Sequence, residues 1–245
     1  WLKHVASIAR VTPHQTQTPT HTHTLPFTHC RVAERPSMST YRILDRFLGA
    51  GGDESTLQEI ADEVSKLARE SLSGEWRAEN STPEVLDALA SLIEEQLTGL
   101  DDCPRDLEEV QESACAACLK LARNLSATGP DAQGHWRKRG IIERLSPLLR
   151  KDLVREKRRS KVWLDMVVTF LTNAVAGNAH MSTHVLTTMF PYGLAAAFAM
   201  CFHKPHMAFT FAQNLFATSD EGSSIAGDLL LSSDGLVVLL FLVSL

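Results

Sequence analysis

The chain has 245 residues, with 24 Lys and Arg against 29 Asp and Glu, a formal net charge of −5 and 44% hydrophobic residues. That much apolar material supports a sizeable core and excludes a chain disordered throughout, and the acidic balance excludes a general nucleic-acid binder, whose phosphate-tracking surface shows as a basic domain. Five cysteines, none in a disulfide-framework spacing, point to a reducing compartment, so a cytoplasmic location is expected.

Residues 1–37 differ from the rest. The stretch TPHQTQTPTHTHTLPFTHC is rich in Thr, His and Pro, has neither helical nor strand periodicity, and is followed by Pro36, so a disordered segment is expected there. The chain begins with Trp1, and Met38 is the first residue resembling a natural start. The segment reads as translated upstream leader or as a transit peptide, the former favoured by the absence of a basic amphipathic helix. His21, His23 and Cys30 lack a second ligand pair, so they read as a solvated polar tract rather than a metal site.

From residue 38 to 113 a helical region is expected. Asp53, Glu54 and Ser55 open a helix with an apolar stripe at Leu57, Ile60, Ala61, Val64, Leu67, Ala68 and Leu72, which Gly74 closes. Gly49 to Gly52 reads as a helix terminator. Thr82-Pro83-Glu84 is a second N-terminal signature, followed by a face of Val85, Leu86, Leu89, Leu92, Ile93 and Leu97. Pro104 is expected to open the helix that runs to Asn124. No stretch between 39 and 220 alternates as a strand would, and the fold expected is all-α.

Residues 114–245 carry a repeat. Three small-residue or apolar segments end in Asn, at Asn124, Asn173 and Asn214, and the steps of 49 and 41 residues fall in the range of helical repeats. Trp163 to Asn173 and His206 to Phe216 read as equivalents of the Asn124 helix, with Phe190-Pro191 preceding an Ala-rich helix between them. Charge is divided sharply: 53–112 holds 18 acids and 4 bases, whereas 135–161 holds 11 Lys or Arg and 3 acids. The basic segment reads as a solvated face offset by its acidic neighbour, or as a docking surface for an acidic partner. The last apolar run, 236–245, is separated from Leu229 to Leu231 by Ser232, Ser233, Asp234 and Gly235. It is shorter than the roughly 20 residues of a membrane span, so no span is expected. The run would begin a further unit, and the chain is expected to be a fragment.

The segment Gly140-Ile141-Ile142-Glu143-Arg144-Leu145-Ser146-Pro147-Leu148-Leu149 resembles the second helix of an armadillo repeat, and Leu121 to Leu125 resembles the end of a third helix. With Ala117-Cys118-Leu119, Gln133, Phe170-Leu171, Asn173, Gly177-Asn178 and Phe190-Pro191 with Leu194, residues 114–217 resemble the armadillo region of the ataxin-10 family. The resemblance implies an armadillo-like α-solenoid and a cytoplasmic scaffold with no catalytic activity that acts through protein partners. Animal relatives are linked to neurite outgrowth, cell survival and cytokinesis, and fungal relatives are named for copper transport. The alternative is an armadillo-type transport adaptor or exchange factor that docks an acidic client through 135–161.

No catalytic, cofactor or metal residue is expected. Cys115 and Cys118 form the one CxxC, but it lies well inside a helix without a partner pair and reads as small core residues. Phosphate-loop, dinucleotide and zinc-protease motifs are absent. Importin-type grooves carry Trp four residues before the Asn, where this chain has Lys120, Thr169 and Thr210, so that recognition mode is disfavoured. The candidate partner contacts are Asn124, Asn173 and Asn214, which either face a partner peptide or bond helix to helix, together with Arg158, Arg159 and Lys161 of the basic segment.

Overall fold

The computed structural model describes residues 39–101, 103–154, 160–200, 204–216 and Gly227. Among these residues there are eleven long or short helices and no strand, which makes the fold all-α. The Thr-rich segment 1–37 and the apolar run 236–245 lie outside the described residues.

Helix α1 (Thr40–Phe47) starts at Ser39, whose hydroxyl accepts the Arg42 N–H. Its chain leaves through Gly49, at φ 69°, and the Gly49 N–H donates to the Glu95 carboxylate at 3.2 and 3.3 Å. Helix α2 (Glu54–Glu70) is capped by Asp53, which accepts the Thr56 N–H at 3.0 Å and the Thr56 hydroxyl at 2.8 Å. Those bonds hold the Asp53 carboxyl below the usual carboxylate value.

The stripe from Leu57 to Ala68 is buried as expected, but Leu72 is 66% exposed. The helix has ended by then: the Ser71 hydroxyl donates to the Ala68 carbonyl at 2.9 Å, and the chain turns. Gly74, expected to close α2, instead begins α3 (Gly74–Asn80), because Ser73 accepts the Trp76 N–H and starts a new helix.

Helix α4 (Pro83–Asp101) begins where Thr82-Pro83 predicts, and its whole expected face is buried. Helix α5 (Glu108–Ser126) starts later than expected. Pro104 opens a turn, closed by the Leu107 N–H on the Pro104 carbonyl at 3.0 Å, and the helix follows it. Beyond it come α6 (Pro130–Lys138), α7 (Ile141–Val154), α8 (Lys161–Val175), α9 (Ala179–Met189), α10 (Tyr192–Met200) and α11 (Pro205–Phe216). Gly140 and Gly177, at φ 68° and 66°, make the turns into α7 and α9 in a conformation that side chains with a Cβ avoid.

Each long helix packs on the third helix along the chain. One layer runs α2, α5, α8, α11, and the other runs α1, α4, α7, α10. The short helices α6 and α9 sit at the joints. Helix α5 crosses residue 113 and packs on α2, α4 and α8, so one apolar core extends from Leu44 to Leu215. The small buried residues Ala114, Cys115, Ala116, Ala117, Cys118 and Ala122 let α5 approach three neighbours at once. Trp136 locks the next joint: its indole N–H donates to Ser126 Oγ at 2.9 Å, and its ring meets Phe170 edge-on at 6.4 Å.

The α4–α5 approach is tight at Gly99. A Cβ there would stand 2.8 Å from Gln111 Nε2, which is buried and donates to the Gln96 carbonyl and to Gln96 Oε1. Gly99→Ala gains up to about 1 kcal/mol of helix propensity but displaces a buried amide, a loss of about 1–3 kcal/mol. The loss dominates, and urea unfolding should show a net destabilisation of about 1 kcal/mol.

Candidate functional site

A helix leaves its last four carbonyls without an intrahelical partner. In this fold the helices of the α2–α5–α8–α11 layer meet this need with the asparagines singled out in the sequence. Asn124 on α5 donates its amide to the Ala68 carbonyl of α2 at 2.9 Å and to Ser71 Oγ at 2.8 Å. Asn173 on α8 donates to the Arg123 carbonyl of α5 at 3.2 Å, and Asn214 on α11 donates to the Thr172 carbonyl of α8 at 3.2 Å. Each acceptor lies in the final turn of the preceding helix in the layer, so the three residues form successive rungs between helices.

The rungs differ in exposure. Asn124 is 6% exposed, and its Oδ1 accepts Arg123 Nε at 3.0 Å and Nη2 at 2.7 Å, so its amide is engaged wholly within the chain. Asn173 and Asn214 are half-buried, with their amide nitrogens committed to the rungs.

A second set of amides, less evident in sequence, reinforces the end of α8. Gln133 donates to the Asn173 and Ala176 carbonyls at 2.9 and 3.0 Å. Asn178 donates to Gln133 Oε1 at 2.9 Å while its own Oδ1 accepts the Met181 N–H and so caps α9. Gln133 and Asn178 occur among the residues that carry the family resemblance, but their spacing of 45 residues gave no reason to pair them.

Two bases of the basic segment are engaged by acids of α4: Arg139 reaches Asp87, Glu94 and the Ser91 hydroxyl, and Arg144 reaches Glu94, while Arg137 and Lys138 are exposed. Lys161, the first residue of α8, is exposed. Arg158 and Arg159 lie outside the described residues. Just after them the Ser160 N–H donates to Glu112 Oε2 at 2.8 Å, placing a buried carboxylate of α5 at the start of α8, where the helix dipole favours negative charge.

Cys115 and Cys118 are both fully buried, and burial, with Cys115 beside it, pushes the Cys118 thiol well above its ordinary value. A nucleophilic or redox thiol requires the opposite shift. Among the described residues no group of three or more His, Cys, Asp or Glu is placed to hold a metal ion, and no helix is long and apolar enough to cross a membrane.

The rungs predict an order of stability losses. Asn124→Ala removes two buried bonds to α2 and its end, together with the two that Oδ1 accepts from Arg123, and should cost about 2–3 kcal/mol. Asn173→Ala and Asn214→Ala each remove one longer, partly hydrated bond and should cost about 1 kcal/mol or less. Chemical denaturation of the three variants measures the order, and equal losses would contradict it. The comparisons with known proteins add no relative: no protein-family model, no curated protein and no solved structure matches the chain.

Proposed function

We propose that this chain is an armadillo-like α-solenoid of the ataxin-10 type, a scaffold without catalytic activity that binds protein partners in the cytoplasm. The roles implied by the resemblance are in cytokinesis, cell survival or morphogenesis. The observation that carries the architecture is the rung repeated from α2 to α11: one Asn amide per unit, donated to a terminal carbonyl of the preceding unit. Contacts that recur every third helix are what a solenoid of three-helix units requires, since each unit buries its face mainly on its neighbours. The fold by itself does not specify a job; the scaffold reading rests on the resemblance. Affinity capture after crosslinking, with the chain as bait, should recover a stable protein partner, and repeated recovery of none would count decisively against the reading.

The second reading, an adaptor docking an acidic client, gains one specific point. Because Arg139 and Arg144 are engaged by Asp87 and Glu94, the bases of the segment offered to a client among the described residues are the exposed Arg137, Lys138, Arg150 and Lys161. Replacing Arg158, Arg159 and Lys161 together by Glu should then abolish capture of an acidic client. Arg139→Glu should lower stability instead, through repulsion from Asp87 and Glu94. Unchanged client binding by the triple variant would remove the adaptor reading.

A further inference from the structure

The contact between α4 and the end of α6 with the start of α7 holds two carboxylates, Asp87 and Glu94, against two guanidiniums, Arg139 and Arg144. Into this balanced group α6 brings a titratable side chain. His135 Nε2 lies 3.1 Å from Asp87 Oδ1, the oxygen that Arg139 Nη1 also approaches at 3.5 Å. The imidazole is 17% exposed, and its buried Nε2 has no well-aligned hydrogen bond, so the approach is close in distance but poor in angle. Lys138, three residues along α6, adds a further cation.

We propose that this contact is a proton-sensitive joint: a proton gained by His135 sets a third cation against two carboxylates already engaged, and α6 with the turn into α7 loosens from α4. Asp87 is 54% exposed, so water screens the attraction it offers to an imidazolium. The cost of charging a largely buried ring, with Arg139 and Lys138 nearby, exceeds that attraction. Burial is the largest cause holding the His135 imidazole below its ordinary value; Asp87 raises it, and Arg139 and Lys138 lower it further. A group depressed in the folded state contributes stability that is complete above its unfolded value, about 6.5, and is lost as pH falls through the folded value.

The same position of α9 carries His184, whose Nε2 lies 3.2 Å from Glu143 Oε1 of α7. Because Glu143 lies in the first turn of α7, the His184→Gln variant is needed to separate the protonation of His184 from that of His135.

Hydrogen exchange on the 245-residue chain at about pH 7.5 and about pH 5.5, expressed as protection factors, tests the joint. Protection of α6 and the first turn of α7 should fall on acidification, by several-fold and by no more than about tenfold at pH 5.5, which lies about one unit below the unfolded value. His135→Gln should abolish that pH dependence, and His184→Gln should keep it. Equal acid-induced loss in His135→Gln and the parent chain would overturn the proposal, as would the absence of any loss in the parent. Should His135→Gln fail to fold, NMR titration of the parent imidazole decides: a His135 value below the ordinary range supports the joint, and one at or above it overturns the joint.

Discussion

The constraint that organises this molecule is the set of unpaired carbonyls at the C-terminal ends of packed helices. A helix end exposed to water satisfies them by hydration, but an end buried against a neighbour requires a protein donor. An asparagine near the end of the adjacent helix is short enough to reach sideways and carries two N–H donors. That geometry explains why the same residue recurs at the ends of α5, α8 and α11. It also explains the small residues of α5: the rung forms only when helix axes come close, and Ala and Cys permit the approach.

The charged contacts follow from this packing. Once the layer of α2, α5, α8 and α11 is in register, the second layer brings the acidic face of α4 beside the basic end of α6 and the start of α7. A chain whose charge is so unevenly divided along its length thereby neutralises part of itself. Exposed pairs of this kind contribute little to stability individually, about 0–1 kcal/mol. Their main effect is to decide which basic residues stay available to anything outside the chain.

Much of this was legible in sequence where the signal is local. Asp53 and Thr82-Pro83 mark helix starts because capping is decided within three or four residues, and the stripes of α2 and α4 are buried because amphipathic periodicity reports the core directly. Gly74 misled because a glycine after an apolar stripe ends a helix as readily as it begins one, and Ser73, a good cap, decided the matter. Pro104 misled in the same way, since proline suits a turn as well as a first helical position. The asparagine repeat was visible, yet its bonding partners at Ala68, Arg123 and Thr172 were not, because they lie some 40 to 60 residues away and depend on how neighbouring helices are aligned.

The two edges of the rung-bearing layer are joined by different chemistry. Toward the C-terminal ends the links are neutral amides on carbonyls. Toward the N-terminal ends they involve charge: Glu112 on the Ser160 N–H, and Lys204 paired with Asp165. Dissolved salt screens the partly exposed Lys204–Asp165 pair and leaves the amide bonds and the buried Glu112 link nearly untouched. Ionic strength therefore acts on the layer as on a book bound along one edge, slackening the outer margin at the α8–α11 step while the amide spine keeps the pages in order.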